Sequence, residues 1–201
     1  MRMQIYLFRH GQTAGNAAGK YVGNMDEPLC ALGMDTARAA GSDPAVREVV
    51  VSPLRRTQMT AAILFPNAKQ QIAFGLREMD FGDFEGRSAR EMEHDPEYRY
   101  WVERTACMGP CPHGDATLVF GHRVRTAFLQ EVGRAQAEGR DRLYFVIHGG
   151  AIMSIMHGLA AVKAPYYSWL LKNCQGYRCK AEMTPEGLRL VDVMRLEKVE
   201  S

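Results

Sequence analysis

No stretch of this 201-residue chain reaches the run of about eighteen apolar residues that a membrane-spanning helix needs. The first thirty residues hold no basic stretch followed by a long apolar one, and Arg9 and His10 interrupt the one apolar segment there. The expected location is therefore the cytoplasm, with no membrane as a partner. Charge of one sign is not in excess either: 25 basic side chains face 23 acidic ones, for a formal net charge of +2. Nothing in that balance selects a nucleic acid, whereas a phosphate site, which asks for only a few local cations, stays compatible with it. Cysteine is sparse and irregular. Cys30, Cys107, Cys111, Cys174 and Cys179 form no CxxC pair, and no two histidines stand four apart, so reduced thiols and no metal are expected. Internal repeats and low-complexity linkers are also missing, and residues 1–201 read as one domain.

Apolar runs alternate with helical periodicity, the pattern of an α/β fold. Met3–Phe8, Arg47–Ser52 and Leu143–Gly150 read as strands, with Val49–Val51 the continuous apolar type expected where both faces are covered. Gln70–Phe74 is a shorter strand, and two weaker ones near Arg178–Met183 and Leu188–Met194 are joined by the turn TPEG. Helices are predicted over Leu29–Gly41, Pro53–Phe65 and Asp115–Glu138, and Ile152, Ile155, Met156 and Leu159 mark one more. Residues 80–115 break the rhythm with charge, glycine and proline. They read as an insertion lying over the sheet's edge, with one helix around Ser88–Glu103.

Chemistry collects at strand ends. Tyr6–Phe8 leads into Arg9–His10–Gly11, and Leu143–Ile147 leads into His148–Gly149–Gly150. Ligands of open α/β sheets bind beyond the strand carboxyl ends, so two histidines delivered there can meet around one anion. The glycines let backbone N–H groups approach it. Arg55 and Arg56 open the helix after a third strand, and only one of two neighbours on a helix faces the site. Glu78 adds a carboxyl just before the insertion. Two imidazoles, guanidinium groups and a carboxyl suffice for phosphoryl transfer through a covalent histidine without metal. A neutral imidazole attacks phosphorus, the arginines and a charged second imidazole hold the oxygens, and a protonated carboxyl serves the leaving alkoxide.

At these residues the chain resembles the histidine phosphatases, also called the phosphoglycerate-mutase-like superfamily. RHGQTAGN (Arg9–Asn16) is similar to the signature R-H-G-[EQ]-T-x-x-N, and SPLRRTQMTA (Ser52–Ala61) to S-x-L-x-R-A-x-Q-T-A, which selects Arg56. LREMDFGDFEG (Leu76–Gly86) resembles L-x-E-x-x-F-G-x-x-E-G, VIHGG (Val146–Gly150) the second-histidine motif, and YVGNMDEPLCALG (Tyr21–Gly33) the substrate loop. Thr57 and Met59 depart from the usual alanine and glutamine as packing changes, and Asp115–Ala116 stand where many members carry Glu-Ser. The resemblance implies a three-layer αβα sandwich with a mostly parallel sheet and a small helical insertion over the active site. It implies His10 as nucleophile and Glu78 as proton donor. Arg9, Arg56 and His148 would form the phosphate pocket, with hydrogen bonds from Asn16 and the Gly149 backbone and with Gly23 near the substrate.

The implied activity is a phosphomonoesterase acting on a small phosphorylated metabolite, as monomer or homodimer, with no cofactor. The wording FGDFEGRS…PEYRYW is similar to α-ribazole-5′-phosphate phosphatases and broad-specificity relatives, which makes α-ribazole 5′-phosphate a named candidate. The alternatives are a cofactor-dependent phosphoglycerate mutase and a phospho-ligand-binding protein without turnover. His94, His113, His122 and His157 belong to no motif and read as ordinary surface or packing residues. Tyr98, Tyr100 and Trp101 either pack the insertion's helix or wall the substrate's organic part.

Overall fold

The computed structural model describes residues 2–105 and 107–200. One six-stranded sheet carries the molecule: β1 (Arg2–Arg9), β2 (Glu48–Val51), β3 (Lys69–Ile72), β4 (Arg142–Ile147), β5 (Gly176–Thr184) and β6 (Gly187–Leu196), in the order β3-β2-β4-β1-β5-β6. The first four in that order run parallel, β5 is antiparallel to β1, and β6 returns on β5 as a hairpin. β1 and β4 sit in the middle with apolar residues on both faces, as strands covered on each side must. Edge strand β3 is KQQI, polar and partly exposed, with Lys69 at its start.

Alternate residues of the central strands feed two cores. Ile5, Leu7, Val50, Phe145 and Ile147 pack on one side with Phe120, Val124 and Phe128 of α5 (Thr117–Ala137) and Ile152 and Ile155 of α6 (Gly149–Leu159). Tyr6, Phe8, Val49, Val51, Tyr144 and Val146 pack on the other with Ala37 of α2 (Ala31–Ala39) and Ala61 and Leu64 of α3 (Arg55–Leu64). A one-turn helix, α1 (Ala14–Ala17), follows β1. Among the described residues no helix is long and apolar enough to cross a membrane.

The expected elements are present, with shifted bounds. The insertion's helix, α4, runs over Pro96–Thr105 and not from Ser88. Asp95 sets its start by accepting the Glu97 and Tyr98 N–H groups, and Pro96 stands where no donor is needed. Phe84, Tyr98 and Trp101 carry the insertion into the α5–α6 core, with ring centroids of Phe84 and Trp101 5.5 Å apart.

Candidate active site

Register brings the imidazoles together. Arg9 pairs with Ile147 across the β1–β4 ladder, so the next residues, His10 and His148, leave the sheet side by side. The His10 N–H donates to the Ile147 carbonyl at 2.9 Å, and the two ring centroids lie 5.2 Å apart. Val51 pairs with Val146, which brings Ser52 to the same level from β2.

Hydrogen bonds fix each tautomer. A carbonyl oxygen only accepts, so His10 Nδ1, 2.7 Å from the Gly11 carbonyl, carries the proton. Its Nε2 keeps a lone pair. Burial, then the Arg56 and Arg9 charges, hold the His10 pKa well below 6.5 against the pull of that carbonyl. His10 is therefore neutral at pH 7, the form of an imidazole that has a lone pair to give.

His148 is arranged the other way round. Arg56 Nε donates to its Nδ1 at 3.3 Å, which leaves the proton on Nε2, donated to Ser52 Oγ at 2.7 Å. Burial first, then Arg56, hold its pKa well below 6.5. The sequence predicts a charged second imidazole around a bound phosphoryl; in this arrangement burial against a guanidinium favours the neutral form of His148. Its work in this arrangement is to orient Arg56.

Arg56 faces the site and Arg55 does not. Arg56 is wholly buried, while Arg55 is exposed with its N–H on Asp26. The Arg56 guanidinium donates to the carbonyls of Met25 (2.6 Å) and Gly23 (2.7 Å) as well as to His148. These partners are neutral, so the cation keeps charge to offer an incoming anion. Arg9 donates through one Nη to the Leu171 carbonyl at 2.6 Å, and its buried Nε has no partner among the described residues. A Cβ on Gly149, the first residue of α6, would come 3.3 Å from that Nε. A buried orphan guanidinium donor beside a helix N-terminus is the pairing an oxyanion satisfies.

Glu78 meets the same helix start. Its carboxylate oxygens accept the N–H groups of Gly150 at 2.9 Å and Met79 at 3.0 Å. A Cβ on Gly150 would fall 2.5 Å from Glu78 Oε1, so a larger residue there would push this carboxylate out of place. Burial pushes the Glu78 pKa above the ordinary carboxyl value, against the pull of the two amides and the two arginines. Such a group holds a proton further toward neutral pH than an exposed glutamate does.

The remaining expected residues fall nearby with different work. Gly23 is a holder of Arg56: its carbonyl accepts from the guanidinium, and a Cβ there would come 1.9 Å from the Met79 carbonyl. Asn16 reciprocates with Thr13 in the cap of α1 and lines an open cleft of ≈ 840 Å³ that Arg9 also lines. Thr57 does more than pack, since its hydroxyl bonds Ser52, the partner of His148. Thr60 Oγ1 accepts the Gly11 N–H at 2.8 Å and donates to the Arg56 carbonyl at 2.6 Å, tying the His10 loop to α3. Asp115 pairs with Arg123 at 3.0 Å, and Arg123 donates to the Glu78 carbonyl. Of the surface and packing roles open to His94, His113, His122 and His157, the structure gives all four exposed positions.

Glu85 is the residue the sequence reading passed over. Its carboxylate accepts the N–H groups of Gly23 (3.0 Å), Asn24 (2.8 Å) and Phe81 (3.1 Å), and so clamps the loop whose carbonyls hold Arg56. The signal is present in the motif's closing Glu-Gly, but two of its three donors, Gly23 and Asn24, lie 62 and 61 residues earlier in the chain.

Comparisons with known proteins bear on the family and the fold. A profile of the Histidine phosphatase superfamily (branch 1) matches residues 5–193. The Serratia proteamaculans protein named "Probable phosphoglycerate mutase GpmB" is 32% identical over 195 residues, 91% of this chain and 87% of that one. Among solved structures, the alpha-ribazole phosphatase from Shigella flexneri superposes with a TM-score of 0.76 at 24% identity, covering 99% of this chain and 100% of that one. A mycobacterial glucosyl-3-phosphoglycerate phosphatase does so with a TM-score of 0.76 at 23% identity, covering 99% and 100%. At these identities the structural likeness speaks for the fold.

Proposed function

Since the chain belongs to branch 1 of the histidine phosphatase superfamily, we propose that it is a phosphomonoesterase working through a phosphohistidine at His10, without metal. One observation carries the reading: a neutral His10 with a free Nε2 lies beside two guanidiniums, Arg56 wholly buried and Arg9 half-buried, whose hydrogen-bond partners are neutral. In the first step Nε2 attacks phosphorus in line, forming the N–P bond as the ester P–O bond breaks. Arg56, Arg9 and the α6 N-terminus take up the charge on the phosphoryl oxygens. Glu78, protonated, gives its proton to the departing alkoxide. In the second step Glu78, now a carboxylate, takes a proton from water as that water attacks phosphorus, and His10 and inorganic phosphate are released. The substrate is a small phosphorylated metabolite, and the fold-level likeness to an alpha-ribazole phosphatase keeps α-ribazole 5′-phosphate first in a screen.

A second reading has the relatives' name behind it: a mutase, returning the phosphoryl to another hydroxyl of a phosphoglycerate. The reactions differ in how well water is kept from the phosphohistidine. Hydrolysis of p-nitrophenyl phosphate that persists in EDTA supports the esterase. Turnover of 3-phosphoglycerate that requires a bisphosphoglycerate, with slow ester hydrolysis, supports the mutase. Silence on both from a folded sample leaves a protein that binds phospho-ligands without turnover.

A further inference from the structure

Beside Glu78 the structure encloses a cavity of ≈ 340 Å³, walled by Tyr21, Phe81, Trp101, Met153, Tyr166 and Tyr167. It is formed where the insertion's helix and the segment after α6 close over the α6 N-terminus, and Gly150 is part of its wall. Trp101 therefore both packs and walls, Tyr98 is buried behind it, and Tyr100 points to solvent.

The wall's polar atoms are occupied within the protein. Tyr21 and Tyr98 share a hydrogen bond between their hydroxyls at 2.9 Å. The Tyr166 hydroxyl donates to the Gly150 carbonyl at 3.3 Å and meets Ser154 Oγ at 3.1 Å, and the Thr117 hydroxyl donates to the Cys107 carbonyl at 2.7 Å. What faces inward is ring and thioether surface. Among the described residues no lysine, arginine or histidine lines the cavity, and Glu78 supplies its one carboxyl.

We propose that this cavity receives the leaving group of the substrate and selects a neutral aromatic ring system. The inference rests on the esterase reading, because it is Glu78 that ties the cavity to the departing oxygen. Size agrees: a cavity of about 150 Å³ takes one benzene, and this one has room for two fused rings. Charge agrees as well. A carboxylated leaving group such as glycerate would be buried without a cation and beside a carboxyl, an arrangement that excludes it. Edge-to-face contacts with Trp101 and Tyr21, whose own centroids are 5.9 Å apart, suit an aromatic guest.

The test compares kcat/KM for ethyl phosphate, naphthylethyl phosphate and 3-phosphoglycerate. The first two release alcohols of similar acidity, so their ratio reports the cavity and not the chemistry. Naphthylethyl phosphate is expected to be preferred by at least about tenfold, the effect of burying one large apolar group, with 3-phosphoglycerate the poorest. Met153→Trp, which fills the cavity, and Tyr167→Ala, which opens its exposed mouth, should each bring the ratio toward one. A ratio near one in the unaltered protein, or 3-phosphoglycerate as the best substrate, overturns the inference while leaving the esterase standing. If no ester turns over, the esterase reading falls. Calorimetric binding of the two esters then decides the cavity separately, equal affinity refuting it and tighter naphthylethyl binding upholding it.

Discussion

Replacing Glu85 by alanine isolates a group that touches no reacting atom yet sets the position of one that does. The substitution strands three backbone N–H groups, of which Asn24 lies at the exposed surface and is hydrated at little cost, whereas Gly23 is buried and Phe81 half-buried. Hydrogen bonds to a charged group contribute about 1.5–3 kcal/mol each, and partial exposure discounts them here, so the loss should total about 2–4 kcal/mol. For a chain of this length that lowers Tm by roughly 5–15 °C. The loop then loosens its two carbonyls on the Arg56 guanidinium. Misplacing a phosphoryl-binding group by about 1 Å costs up to about a hundredfold in rate, so kcat/KM for p-nitrophenyl phosphate should fall between about tenfold and a hundredfold. The limbs of the pH–rate profile should stay in place, because Glu85 moves no proton. Glu85→Gln retains one acceptor but turns an amide donor on a backbone N–H, and should fall between the two proteins in Tm. A melting point within about 2 °C of the unaltered protein, with kcat/KM unchanged, would refute the clamp.

Glu78→Gln should slow alkyl phosphates far more than p-nitrophenyl phosphate, whose phenolate leaves without a proton; equal slowing would remove Glu78 as the acid. The pH–rate profile should keep its acid limb below pH 6.5, because His10 is held below that value, and its alkaline limb should track the raised Glu78 pKa. Stability follows the same shifts with a definite sign. The unfolded chain protonates both buried histidines near pH 6.5 while the folded chain resists, so Tm should fall as pH drops below about 6.5. Glu78 acts oppositely, its contribution being lost as pH rises above 4.5 through its raised folded value. A His10→Gln/His148→Gln protein should show a flatter fall of Tm between pH 6.5 and lower values, and an unchanged slope in thermal melts would mean the two imidazoles are not its source. Ser52→Ala removes the acceptor that fixes the His148 tautomer and should lower kcat for every ester alike, in contrast to the leaving-group dependence of Glu78→Gln.

Most of the site was legible because its parts lie one residue past the ends of apolar strands. A run such as Ile5–Phe8 is buried on both faces, so the first polar residues after it emerge at the sheet's carboxyl edge, and His10 and His148 do so together because β1 and β4 are neighbours. That adjacency is a matter of topology, which periodicity does not contain. The residues that hold the site were harder to read. Glu85, Ser52 and Thr60 act through hydrogen bonds to backbone or imidazole groups tens of residues away, and a single such side chain in a polar stretch carries no periodic mark. The charge state of His148 is not legible for a related reason: an imidazole among cations reads as one more cation, whereas full burial against Arg56 lowers its pKa. The start of α4 was placed eight residues early because the charged stretch from Ser88 is compatible with helix, while the Asp95–Pro96 pair that begins it is a local capping signal.

In the proposed mechanism His10 Nε2 takes the phosphoryl group itself. Rapid mixing with p-nitrophenyl phosphate, followed by an alkaline quench that preserves phosphoramidates and by peptide mass analysis, tests it most directly. One added phosphoryl is expected on the peptide containing His10, formed at the rate of the nitrophenolate burst and missing in His10→Ala. Turnover with the phosphoryl on another residue, or hydrolysis that survives His10→Ala, would contradict it.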